Sequence, residues 1–351
     1  MPNFWGGVFA DVAAKFAASS GCCINELSRE SPCGYPCGFA LKPAVEIRLH
    51  FLKNEERVVQ IDNNLTLSDD EVQKALRALF LGVAPERENE LEELWSKYQL
   101  EFHLLHDESN IIAEAGLYKQ VRYSHRMLRA VWVSAFAAWE GYSAVHQVAV
   151  SGCEPRLDRF SELVALVKTI IDNDNPFSVA LPGLPEQGQL LDASQYLELR
   201  VAAEFAYFAT AWVMLHEVRH IQHQQDSTSS TWGTSEEQHA EELSCDEFAI
   251  KFITDKVAEY AAQHNVSADT VLMKRKTGIY FGMFALSLIA GSNSKASDSH
   301  PSIQTRLDTA CRLLSGSSID TSFSIMAGAF VALKLVAPWA PSPSIYIDSP
   351  S

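Results

Sequence analysis

The sequence has too little positive charge for a typical nucleic-acid-binding protein and no apolar run long enough for a membrane-spanning one. Its 351 residues contain 28 Lys and Arg against 44 Asp and Glu, which gives a net charge of −16. This charge opposes contact with phosphate backbones and argues against nucleic acid as a partner. The longest apolar runs, near residues 205–215, 279–290 and 323–336, fall short of the ~20 residues that cross a bilayer. We therefore expect buried helices and no transmembrane span, with peripheral membrane contact left open.

A disulfide framework and a secretion signal are also not evident. The seven cysteines are an odd number, and the N-terminal stretch has no basic region and is interrupted by Asp11. We therefore expect reduced thiols and a cytoplasmic location. Four cysteines lie close together in a loop, and their spacing fits no common zinc pattern, so ordinary thiols are favoured over a second zinc site. These are Cys22, Cys23, Cys33 and Cys37.

The distribution of apolar residues predicts a mainly α-helical (α+β) protein. The clearest β signal is at residues 45–61, where apolar and polar residues alternate on both sides of a Lys-Asn-Glu-Glu turn. This pattern predicts a small antiparallel hairpin. Helical periodicity and capping patterns predict helices over about 68–81, 86–106, 119–149, 194–224 and 236–263.

Changes in composition predict three parts of the chain. A loop rich in proline and glycine ends near Pro185 and marks a boundary. We expect an N-terminal helical region with the hairpin at residues 1–185 and a helical catalytic core at 186–315. A C-terminal helix and a poorly ordered tail are expected at 316–351, because proline and serine recur from Pro338 onward.

The most informative motif is His216-Glu217-Val-Arg-His220. Residues four positions apart share one face of a helix, so His216 and His220 can bind one metal ion together. Glu217 can reach a water at that ion, which makes it a candidate general base. The pattern is the His-Glu-x-x-His signature of zinc peptidases. Two core histidines on a buried helix are the alternative, since the preceding residues 205–215 are almost wholly apolar.

A third metal ligand has to come from another part of the chain. His223 lies ~10 Å along the helix axis from His216 and cannot easily complete a site with it. Asp226 stands where the longer His-Glu-x-x-His-x-x-Gly-x-x-His motif has its third histidine.

Two carboxylates on the next predicted helix supply the missing ligand and its support. Glu242 and Asp246 lie one turn apart within the apolar stripe of that helix, whose start is marked by a capping pattern at Ser235 and Gln238. A carboxylate on a buried face is costly unless it is paired or bound to a metal. We assign Glu242 as the third zinc ligand, with Glu241 the lesser possibility. Asp246 is assigned to hold a ligand histidine by its other ring nitrogen.

With these residues the sequence resembles the gluzincins, the thermolysin-type metallopeptidases, in which Glu-x-x-x-Asp follows the His-Glu-x-x-His helix. His300-Pro301 with Arg306 is similar to the His-Pro…Arg segment of CaaX-processing and HtpX-type gluzincins. Without their transmembrane helices, the arrangement resembles the Lit-type phage-exclusion peptidases of bacteria. The resemblance covers roughly residues 195–315 and implies catalytic roles for His300 and Arg306, either in holding a catalytic residue or in stabilising the oxyanion. The alternative is that His300-Pro301 only caps the helix that begins near Ser302.

The expected function is hydrolysis of peptide bonds in a protein or peptide substrate, with Zn²⁺ as the cofactor. Three ligands leave zinc a position for water, and Glu217 takes the proton of that water. A strand edge is expected to bind the substrate, and the 45–61 hairpin is the candidate. The Lit-type resemblance implies a role in phage defence, on a specific cytoplasmic protein such as an elongation factor. The alternatives are a metal-binding regulatory protein without activity, a metal-free helical protein, an ImmA-type peptidase that cleaves a repressor, and a housekeeping peptidase.

Overall fold

The computed structural model describes residues 69–105, 113–116, 118–152, 154–187, 196–316 and 320–346. They belong to a compact unit that spans Glu55–Ser351. The predicted hairpin at 45–61 and the four cysteines between residues 22 and 37 lie outside the described residues. Among the residues that are described, no helix combines the length and apolarity needed to cross a membrane.

The described chain is mainly helical with one small sheet, which confirms the predicted fold class. The elements in chain order are the helices α1 (Asp69–Gly82) and α2 (Glu88–Tyr98), the strands β1 (Glu101–Leu105), β2 (Ala113–Ala115) and β3 (Gln120–Ser124), and the helices α3 (His125–Ser151), α4 (Asp158–Asp172), α5 (Leu197–Gln225), α6 (Ser235–Thr254), α7 (Val257–His264), α8 (Ala268–Ala290), α9 (Ile303–Leu313) and α10 (Thr321–Val336).

The sheet contains both parallel and antiparallel pairs of strands. Two of its strands lie in segments for which the sequence predicts helix. Strand β3 is central and pairs in parallel with β1 and antiparallel with β2. The helix predicted over 86–106 ends at Tyr98, because Gln99 adopts a left-handed conformation with φ 48°. The helix predicted over 119–149 begins only at His125, where the Ser124 side chain accepts a hydrogen bond from the Met127 amide. Sheet pairing therefore overrides the helical pattern on both sides of the 106–112 segment.

The single helix predicted over 236–263 is divided into α6 and α7. Arg87 Nη1 donates to the carbonyl of Phe252 at 3.1 Å, and the buried Arg275 donates to the carbonyl of Ile253 at 2.7 Å. These carbonyls are therefore bound by side chains at the point where the helix ends. The cap lies one residue before the predicted one, because Thr234 and Glu237 form the capping box and the helix begins at Ser235.

One hydrophobic core joins residues from α1 to α10. It includes residues on both sides of positions 185 and 315, and the division of the chain at those positions stays a prediction. The residues that follow α10 pack against the core. Lys334 donates to the carbonyl of Ala340, which is buried, and the Ser342 amide donates to Gln304 Oε1 at 2.9 Å.

Two glycines on α8 allow α5 to approach closely. A Cβ on Gly278 would overlap Phe208, and a Cβ on Gly282 would lie 2.8 Å from Cε3 of Trp212. Phe208 and Trp212 are one turn apart on α5, and His216 follows one turn later on the same face. The two glycines therefore set the position of the helix that carries both histidines of the motif.

We expect Gly278→Ala to lower the free energy of unfolding by about 1–3 kcal/mol, because the added methyl group overpacks the contact between two buried helices. Gly316→Ala is the matched control, since nothing lies within 4 Å of a Cβ there. Its effect should stay within about 0.5 kcal/mol. Urea denaturation followed by circular dichroism measures both changes, and equal midpoints would contradict the close approach of the helices.

Candidate active site

His216 and His220 point their Nε2 atoms toward each other from successive turns of α5. The two Nε2 atoms are 3.2 Å apart, and both side chains are largely buried. The ring of Trp212, one turn earlier, lies beside His216 with centroids 6.1 Å apart. The helical spacing therefore brings two nitrogen donors to one point, as the sequence predicts.

Glu242 on α6 reaches the same point. Its Oε1 lies 3.2 Å from His220 Nε2, and its Oε2 lies 3.4 Å from His216 Nε2. One ligand atom from each of these three residues lies within 4.8 Å of the others. Oε2 of Glu242 is buried and has no hydrogen-bond partner among the described residues. Because such an oxygen is costly without a partner, the three donors fit a metal ion.

The charges around the imidazoles favour a cation at this point. Burial lowers the pKa of His216, but the hydrogen bond with Asp246 and the nearby carboxylate of Glu242 prevail and raise that pKa to about 10. Burial raises the pKa of Glu242, but the nearby imidazoles of His216 and His220 prevail and lower it. Since the carboxylates stabilise positive charge beside the rings, a divalent cation suits the same position.

Asp246 and Arg306 support His216 from behind. Asp246 is fully buried and accepts hydrogen bonds from Arg306 Nε at 2.8 Å and Nη2 at 2.6 Å. Its Oδ1 also lies 2.9 Å from His216 Nδ1. An Nδ1–H that donates to Asp246 leaves Nε2 of His216 available as a metal ligand. Arg306 thus contacts the site through Asp246, and its Nη1 is 3.7 Å from Glu242 Oε2.

His300 lies at the mouth of the site. Its imidazole is 59% exposed, and its Nε2 is 3.5 Å from Glu242 Oε1. The Ser299 hydroxyl contacts its Nδ1 at 2.7 Å, which holds the ring in place. The cap of α9 is Ser302, whose hydroxyl accepts from the Thr305 amide. His300 therefore faces the site rather than providing the helix cap.

A cleft of about 670 Å³ opens beside these residues, and Glu217 lines it. The carboxylate of Glu217 makes no hydrogen bond to another described residue. Strand β2 forms one wall of the cleft and lies at one of the two edges of the sheet formed by the described strands. Apolar side chains form another part of the lining, and these are Met127, Val131, Val213, Leu286 and Ile289.

The sequence predictions missed several residues that line the cleft or lie close to Glu217. Ala113 and Ala115 belong to a three-residue strand, Ala-Glu-Ala, with little β propensity of its own. Tyr123 on β3 has a buried hydroxyl with no partner among the described residues. Burial and the nearby charge of Glu217 raise the pKa of this tyrosine well above its usual value. The order of strands in the sheet brings these residues to the site, and no local pattern in the sequence indicates it.

Comparison with known proteins identifies a family for this chain. The family described as Peptidase U49 matches residues 121–326, which is more than half of the chain and includes every predicted site residue. No curated protein and no solved structure matches the chain.

We expect Asp246→Ala to lower the free energy of unfolding by about 3–5 kcal/mol in the presence of EDTA, because it leaves the buried charge of Arg306 without its partner. Asp269→Ala is the control, since Asp269 is exposed in the first turn of α8. Chemical denaturation without metal measures both variants. A change below about 1 kcal/mol for Asp246→Ala would contradict a structural role for this pair.

Proposed function

Since the chain belongs to the peptidase U49 family, we propose that it is a zinc-dependent endopeptidase that cleaves a protein substrate. The observation that carries this proposal is the convergence of His216, His220 and Glu242 beside Glu217 in one cleft. Two imidazoles and one carboxylate are donors that zinc accepts, and three protein ligands leave a position for water. A site that is only structural has no use for Glu217. When bound, zinc would polarise the scissile carbonyl and lower the pKa of a water molecule.

Glu217 is proposed as the general base and then the general acid. As the water oxygen bonds to the carbonyl carbon, Glu217 takes a proton from that water. When the bond between carbon and nitrogen breaks, Glu217 gives the proton to the leaving amine. Its place on the cleft wall, next in sequence to His216 and without a hydrogen bond to the other described residues, supports this role.

His300 and Arg306 are proposed to have different roles. The exposed imidazole of His300 stands where it can donate to the carbonyl oxygen as negative charge develops there. Arg306 is buried and bound to Asp246, so it acts as a positioning residue that fixes the support of His216.

The edge of β2 is the proposed binding surface for the peptide backbone. The strand lies on the cleft wall, and among the described strands it pairs along one edge only, with β3. An extended peptide can add to such an edge through main-chain hydrogen bonds. Strand β2 is therefore a second candidate beside the 45–61 hairpin, which lies outside the described residues. The apolar lining of the cleft favours an apolar substrate side chain next to the cleaved bond.

The biological role proposed is phage exclusion by cleavage of one specific cytoplasmic protein. Two features support it, the His300-Pro301…Arg306 segment that resembles the Lit-type peptidases and the family match itself. The cytoplasmic location rests on the odd number of cysteines.

We expect Glu217→Gln to retain zinc and to lose at least about 100-fold in hydrolysis, because the amide cannot accept the proton. Metal analysis measures the zinc, and mass spectrometry of new protein N-termini in cells that express each variant measures the cleavage. Glu247→Gln on the exposed face of α6 is the control. Full activity of Glu217→Gln would refute this mechanism.

We expect His216→Ala and Glu242→Ala to lose the bound zinc, since each removes one of three ligands. Inductively coupled plasma mass spectrometry of the purified variants measures the metal content, with circular dichroism as a check on folding. Near-stoichiometric zinc in Glu242→Ala would transfer the ligand role to Glu241 or Asp246.

A further inference from the structure

His220 has a second carboxylate partner on the side of its ring that faces away from the metal position. Its Nδ1 is 2.8 Å from Oε1 of Glu241, whereas its Nε2 faces His216 and Glu242. The Glu241 side chain is largely buried. Because the two ring nitrogens point in different directions, Glu241 contacts the ring without sharing the ligand position.

The other oxygen of Glu241 holds a loop. Oε2 accepts a short hydrogen bond from the Ser230 amide, and the Ser229 hydroxyl is 3.5 Å from Oε1. We call residues 228–233 the cleft loop, since Ser230 and Thr231 line the cleft. At the tip of this loop Trp232 is 97% exposed.

The cleft loop is fastened to the helices at its two ends as well. At one end, Thr228 contacts His223 Nδ1 at 2.8 Å. At the other end, Gln238 donates to the carbonyl of Gly233 at 3.1 Å. The middle of the loop, where it borders the cleft, is held by Glu241.

We propose that Glu241 is a positioning residue that couples His220 to the cleft loop, so that zinc binding and ordering of this loop favour each other. A metal at Nε2 of His220 leaves the only N–H of the ring at Nδ1, where it donates to Glu241. This bond fixes the carboxylate, and the fixed carboxylate presents its other oxygen to the Ser230 amide. By linkage, an ordered loop favours zinc binding to the same degree. The inference rests on the proposed function, because it requires zinc at His220.

The variant Glu241→Gln tests the coupling. A glutamine has one acceptor oxygen, so it cannot accept from both His220 Nδ1–H and the Ser230 amide in this geometry. Glu236→Gln is the matched control, since Glu236 is exposed in the first turn of the same helix and undergoes the same chemical change.

The first measurement is zinc affinity by competition with a chelator. We expect Glu241→Gln to bind zinc about 10- to 100-fold more weakly than wild type, as is usual for the loss of a carboxylate that supports a histidine ligand. Glu236→Gln should bind zinc as wild type does.

The second measurement is the order of the cleft loop, and it does not depend on activity. Chymotrypsin cleaves after exposed aromatic residues, so cleavage after Trp232 reports opening of the loop. Phe177, which is 48% exposed on a remote 3₁₀ turn, provides an internal reference. We expect removal of zinc from the wild type to raise the relative cleavage after Trp232 several-fold. In Glu241→Gln, cleavage after Trp232 should be as fast as in the zinc-free wild type, both at saturating zinc and without zinc.

The outcomes separate this inference from the proposed function. If the wild type binds zinc but its rate of cleavage after Trp232 stays the same when zinc is removed, the coupling is refuted. The proposed zinc site is not affected by that result. Equal zinc affinity and equal loop cleavage in Glu241→Gln and Glu236→Gln would overturn it as well. A wild-type protein that binds no zinc would refute the proposed function together with the coupling.

Discussion

The site depends on one buried ion pair. Asp246 is removed from water, and its two oxygens are bound by Arg306 on α9 and by His216 on α5. These contacts thus join α5, α6 and α9. Glu217 and Glu242 bring two more carboxylates close to that of Asp246. The charge of Arg306 reduces the repulsion within this acidic group, whose burial would otherwise be costly. The helices α5, α6 and α9 therefore have to pack in one arrangement before the two histidines and Glu242 can converge.

The sequence predicts the parts of the site that depend on helical spacing. His216 and His220 converge because they are four residues apart, and Glu242 and Asp246 reach them because both lie on the apolar stripe of α6. The sequence does not predict the opposite wall of the cleft. Strand β2 lies there because of its pairing with β3, and three residues are too few to show a periodic pattern. Glu241 was considered only as a ligand, since the direction of its side chain depends on the packing of α6 against α5.

The fold class was predictable, and the first helix begins and ends within one residue of its predicted bounds, but the end of α6 was not predictable because side chains from elsewhere in the chain bind its last carbonyls. Arg87 and Arg275 bind the last carbonyls of α6, and Arg275 is itself paired with the buried Glu86 through contacts of 2.5 and 2.9 Å. Neither arginine is near α6 in sequence. The apolar pattern continues into α7, so periodicity alone predicts one helix where the structure has two.

The position of α6 along α5 has a consequence for finding this site in other sequences. Glu241 and Glu242 contact opposite sides of the His220 ring, and Asp246 contacts His216 one turn away. Contacts between side chains therefore determine how α6 is positioned along α5. The length of the loop between the two helices does not determine it. Surface connections tolerate insertions at little cost in free energy. A search for distant relatives should accordingly keep the residue spacing within each helix strict and leave the length of the connection between them open.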